Sequence, residues 1–132
     1  MLNLINMEIL LFDNGIDQAL MIDEILTRVG CRVSRVKNEY ECFTKLINGR
    51  YDLLLFDHCI PKLDVAGFIN QLETIDRRMS VAMMVTLPGR FYEDKYGCSA
   101  IDFLLFKPFG YDELLLLVRE AFQYSLKLKK AS

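Results

Sequence analysis

The sequence predicts an α/β domain: a five-stranded parallel sheet in the order 2-1-3-4-5, a flavodoxin-like three-layer sandwich. Three observations carry this. Short apolar runs alternate with amphipathic stretches along the chain, and β-α-β alternation implies a parallel sheet with helices on both faces. Leu53 to Phe56 is a continuous apolar run too short for a helix, as in a strand buried at the centre of such a sheet. Four of the runs end in a chemically useful residue: Asp13, Asp57, Thr86 and Lys107. Right-handed crossovers leave few topologies for five parallel strands.

The elements follow in order. Glu8 to Phe12 is the first strand, ending at Asp13, and Asn14-Gly15 makes a turn. Ile16, Leu20, Ile22, Ile25, Leu26 and Val29 then recur at helical spacing, with Asp17, Asp23, Glu24 and Arg28 opposite. Gly30 ends that helix as a C′ residue. Cys31 to Val36 alternates weakly as a short strand. Asn38 with Glu41 three residues later resembles a capping box. The helix it opens places Tyr40, Phe43, Leu46 and Ile47 on one face and stops at Asn48-Gly49.

After the central strand comes a loop from Asp57 to Leu63, stiffened by Pro61. Asp64 caps a helix carrying Ala66, Phe68, Ile69, Leu72 and Ile75. Val81 to Val85 is the fourth strand, ending at Thr86, and Leu87-Pro88-Gly89 is a turn. The segment from Arg90 to Ser99 makes at best a short, poor helix. The last strand, about 101–106, ends at Lys107-Pro108. A final helix from about Tyr111 to Leu128 opens with Asp112 and Glu113, carboxylates at the positive end of the helix dipole.

Composition bounds the function. The 132 residues make one domain, 1–132 with its core at about 7–124, long enough for a real core. A net charge of -2 leaves no electrostatic footprint for nucleic acid, and Lys127 to Lys130 reads as a solvated helix end. No apolar run is long enough to span a membrane, and the first residues lack a signal peptide's charged region and cleavage site. The cysteines, 31, 42, 59 and 98, are widely spaced and fit neither a disulfide scaffold nor zinc. Reduced, mostly buried thiols in a cytoplasmic protein are the simplest expectation.

The chemistry lies at the strand ends. Glycine-rich phosphate loops are absent. His58 is the only histidine; adjacent to Asp57, it is expected to diverge from it as a bystander. In open α/β sheets the carboxyl ends of the strands are where ligands bind. Asp13 and Asp57 on neighbouring strands repel unless a cation lies between them, and hard oxygen ligands suit Mg²⁺. A carboxylate beside Mg²⁺ and an ammonium is a nucleophile toward phosphorus, with a hydroxyl to bond the transferring oxygens. That combination describes an aspartyl-phosphate site.

Over about residues 7–124 the chain resembles the receiver domains of two-component response regulators. The resemblance rests on Ile9 to Asp13, Asp57 with Pro61 four residues on, Thr86, and Lys107-Pro108-Phe109 followed by Glu113-Leu114. It implies a signalling module rather than an enzyme. Asp57 would accept a phosphoryl group from a histidine kinase or phosphotransfer protein. Asp13, Asn14, Asp57 and the backbone carbonyl of Cys59 would hold Mg²⁺, while Thr86 and Lys107 would contact the phosphoryl group. The last helix would serve a homodimer, with Leu116 a candidate contact.

The chain departs from the family pattern at several places. Asn14 stands where a second acid is usual, which lowers the expected Mg²⁺ affinity. Leu87 stands where a small residue keeps the site open, and Val65 replaces a glycine. The switch aromatic's position is Leu104, with Phe103 one place off, so the strand either bulges or alters the relay. These departures support a second reading, a phosphorylation-independent pseudo-receiver that binds partners. A haloacid-dehalogenase-like phosphatase is disfavoured, because Gly15 stands where its second aspartate belongs. No effector domain follows residue 128, so the chain acts alone through a partner or is a fragment of a longer regulator.

Overall fold

In the computed structural model, which describes residues 3–75, 78–86 and 100–131, elements alternate as the sequence predicts through the fourth strand. They are β1 (Glu8–Phe12), α1 (Ile16–Arg28), β2 (Arg32–Val36), α2 (Glu39–Asn48), β3 (Leu53–Asp57), α3 (Val65–Glu73), β4 (Ser80–Val85), β5 (Phe103–Phe106) and α4 (Tyr111–Lys130). All five strands pair in parallel, in the order β2-β1-β3-β4-β5. Leu87 and the segment 90–99 lie outside the described residues.

Side chains alternate across a strand with a period of two, and this divides the core into two clusters. Ile9, Leu11, Leu53, Leu55, Ala82 and Met84 face one way, against Ala19, Ile22 and Leu26 of α1 and Leu114, Leu117, Val118 and Ala121 of α4. Leu10, Phe12, Leu54, Phe56, Val81, Met83 and Val85 face the other way, against Cys42 and Leu46 of α2 and Phe68, Ile69 and Leu72 of α3. β3 is buried along its whole length because both of its faces are covered. Phe68 anchors the second layer, its ring centroid 5.0 Å from Phe56, 5.3 Å from Phe43 and 5.4 Å from Phe12.

Local chemistry sets the helix ends. Asn38 accepts from the Glu41 N–H at 2.8 Å, and Glu41 reaches back to the Lys37 N–H at 3.0 Å. Gly30 has φ +101, a left-handed conformation that lets the Cys31 N–H reach the Leu26 carbonyl and its own N–H reach Thr27, closing a Schellman motif. Asp64 occupies the N-cap of α3, but its side chain makes no capping bond. At α4, Glu113 accepts from the Gly110 N–H at 2.5 Å. The buried Ser80 hydroxyl donates to the Ala121 carbonyl at 2.5 Å, and Asp52 pairs with Lys129, so α4 is fixed at two points.

Two helix faces differ from the sequence expectation. Ile16 (71% exposed) and Leu20 stand outside the apolar stripe of α1, which centres on Ala19, Ile22 and Leu26. On α2, Tyr40 (81%) and Ile47 (74%) are exposed, and Cys42 with Leu46 faces the sheet instead. In both helices the sheet covers a stripe narrower than the apolar set, and the residues flanking it are left in solvent. In β5 the register runs unbroken from Ala82↔Phe103 to Val85↔Phe106, so there is no bulge. Phe103 therefore packs toward α4, edge-on to Tyr124, while Leu104 packs on the opposite face.

Candidate functional site

Register brings the strand-end residues together. Phe12 pairs with Phe56, so Asp13 and Asp57 leave neighbouring strands at the same edge of the sheet. β5 ends one strand beyond β4, and the Lys107 N–H bonds the Val85 carbonyl at 2.7 Å. The Lys107 ammonium then crosses to Asp57 Oδ2 at 2.7 Å. Asp13 and Asp57 are both buried, at 5% and 6% exposure, so each carboxylate needs donors in place of water.

Those donors are present. Asp57 Oδ1 accepts from the Cys59 N–H at 2.9 Å, and Asp13 Oδ1 accepts from the Gly15 N–H at 2.9 Å. The remaining oxygens share one group. Gln18 Nε2 donates to Asp13 Oδ2 at 2.7 Å and to Asp57 Oδ2 at 2.9 Å. Gln18 was not among the residues singled out by sequence, because it ends no strand. Its only signal is position: it stands in the first turn of the helix that follows Asp13, and that turn begins at the same sheet edge.

The other expected residues lie around this centre. Asn14 is exposed in the turn beside Asp13, and Thr86 is exposed immediately after β4. Among the described residues neither is bonded to Asp57 or Lys107. Cys59 contributes its N–H, and its thiol is exposed. His58 does not diverge from Asp57: its Nδ1 lies 3.7 Å from Asp57 Oδ1, because the ring is held by the Met84 carbonyl at 3.0 Å. Cys59 Sγ lies 3.2 Å from His58 Nε2, which places ligand atoms of Asp57, His58 and Cys59 within 4.8 Å of one another.

Two carboxylates and one ammonium leave the centre with excess negative charge. The donor set is hard oxygen on rigid strand ends, which fits a hard divalent cation of the Mg²⁺ kind. Cations and phosphoryl oxygens both find partners at such an edge, the first at the carboxylates and the second at Lys107.

No protein-family model and no curated protein matches the chain. Solved structures match it closely in shape. NtrX from Brucella abortus in complex with ADP has a TM-score of 0.81 at 18% identity, over 96% of this chain and 28% of that one. This chain thus spans little more than a quarter of NtrX. The receiver domain of sensor histidine kinase PA1611 from Pseudomonas aeruginosa PAO1, with a magnesium ion coordinated in its active site cleft, has a TM-score of 0.77 at 21% identity, over 89% of this chain and 98% of that one. The chemotaxis response regulator CheY4 of Vibrio cholerae has a TM-score of 0.80 at 19% identity, over 88% and 98%. The chain has the receiver-domain fold. None of its described helices is long and apolar enough to cross a membrane.

Proposed function

We propose that this chain is a response-regulator receiver that takes a phosphoryl group on Asp57 from a histidine kinase or phosphotransfer protein. The observation that carries the proposal is the buried Asp57 carboxylate at the end of the central strand, with Lys107 Nζ at 2.7 Å and Asp13 joined to it through one amide. A buried acid on an interior strand serves stability poorly unless its ionised form has work to do.

In the transfer, an Asp57 oxygen attacks phosphorus and forms a P–O bond. The P–N bond to the donor imidazole breaks, and that nitrogen keeps the electron pair. Lys107 stays within reach of the new acyl phosphate and neutralises part of its charge. Thr86, on the adjacent strand end, supplies a hydroxyl to a phosphoryl oxygen. Asp13, Asp57, the Asn14 side-chain oxygen and the Cys59 carbonyl would hold Mg²⁺, which supplies charge neutralisation when bound. Asn14 offers an oxygen without charge, so affinity for the cation is set lower than with a second acid. The output is a signal passed to a partner, in the cytoplasm, and not turnover of a substrate. Leu116, 57% exposed while Leu114, Leu115, Leu117 and Val118 are buried, is the candidate contact for a homodimer through α4.

Acetyl phosphate with Mg²⁺ tests the proposal. One acid-stable, base-labile phosphoryl group per chain is expected by intact mass, requiring Mg²⁺ and absent in Asp57→Asn. Labelling that survives Asp57→Asn contradicts the assignment. No labelling, with partner binding unchanged in Asp57→Asn, points instead to a pseudo-receiver.

A further inference from the structure

The Gln18 amide occupies the place between the two carboxylates. Its nitrogen carries two hydrogens, one for Asp13 Oδ2 at 2.7 Å and one for Asp57 Oδ2 at 2.9 Å. Both bonds run to ionised acceptors and are therefore among the stronger kind. The orientation is fixed by charge: the amide oxygen in the same place would face two anionic oxygens. Met84 Sδ lies 3.9 Å from the same nitrogen and backs it from the sheet.

We propose that Gln18 is an internal competitor for the divalent cation. Its NH₂ group joins Asp13 Oδ2 to Asp57 Oδ2, and it must leave before those oxygens would be open to a cation. This rests on reading Asp13 and Asp57 as the cation-binding pair. A protein whose binding-competent form is only a fraction of the population binds with its affinity reduced by that fraction. Gln18 therefore raises the Mg²⁺ concentration at which Asp57 becomes reactive. It also shares Asp57 Oδ2 with Lys107, so its departure frees that oxygen as well as the cation position. Asn14 lowers the cation's pull and Gln18 raises the competition, and both set the same threshold.

The test is cation binding to the full chain. Mg²⁺ and Mn²⁺ affinities are measured by calorimetry for wild type, Gln18→Ala and Gln18→Met; the Met variant keeps the volume without the donor. Both variants are expected to bind about fivefold more tightly, the gain from removing a competing form that holds most of the population. In wild type the Gln18 side-chain NH₂ resonances should shift as Mg²⁺ is added, with the same midpoint as the heat. Weaker binding in the variants would overturn the proposal by making Gln18 a ligand through its oxygen; unchanged binding would overturn it by making the bridge structural only. Asp13→Asn separates the two levels. If it weakens binding while the Gln18 variants do not change it, only the competitor falls. If Asp13→Asn leaves binding unchanged, the cation pair itself falls, and this inference with it.

Discussion

Asp57 is held by three donors of different kinds: an ammonium from Lys107, an amide from Gln18 and the backbone N–H of Cys59. None of the three comes from β3 itself, so the carboxylate's orientation depends on β5, on α1 and on the loop after the strand. The cysteines give a prediction at this scale. Burial, with Asp52 nearby, pushes the Cys31 thiol up to about 11, and burial, with Glu39, pushes Cys42 up to about 12, both from 9.0. Folding therefore favours their protonated forms. That contribution is complete below about pH 9 and fades as pH rises toward 11–12, so the melting temperature should fall over that window. Cys59 is exposed, and iodoacetamide at pH 8 should modify it while sparing Cys31 and Cys42 until the chain unfolds. Peptide mapping reads this directly, and rapid labelling of Cys42 in the folded chain would contradict its burial. Asp13, Asp57 and Lys107 were legible in the sequence because each ends an apolar run. Gln18 was not, because its contact depends on where a helix begins relative to a neighbouring strand. The position of His58 was not legible, because a bond to the Met84 carbonyl, from another strand, turns the ring back toward Asp57.

The turn from α1 into β2 depends on one residue. Gly30 sits at φ +101, and a Cβ there would meet Ile5 Cγ1 at 2.7 Å. Gly30→Ala should cost at least about 1–2 kcal/mol, the penalty of a side chain in the left-handed region. Urea unfolding should show a lower midpoint with an unchanged slope, and an unchanged midpoint would contradict the motif. That glycine, the Asn38 cap and every strand were legible, since each rests on chemistry within a few residues. The helix faces were legible only in part. Tyr40 and Ile47 share the helical spacing of Phe43 and Leu46, yet the sheet meets α2 along Cys42 and Leu46. Spacing shows which residues lie together on a helix, and the docking angle decides which of them are covered.

For the whole molecule, the order β2-β1-β3-β4-β5 places β3 between β1 and β4. That single fact lets Asp13, Asp57 and Lys107 converge from residues far apart in the chain. It was legible because the alternation and crossover handedness left few arrangements, and because β3 reads as apolar on both faces. The unbroken register of β5 decided what spacing left open: Phe103 and Leu104 lie on opposite faces, with no bulge to exchange them. The measurement that tests the central claim most directly is amide NMR of the chain with beryllofluoride and increasing Mg²⁺. Asp57 as phosphoacceptor predicts saturable, Mg²⁺-dependent shifts around Asp57, Thr86 and Lys107 that vanish in Asp57→Asn. No shift at any Mg²⁺ concentration the protein tolerates, or shifts that persist in Asp57→Asn, would contradict it.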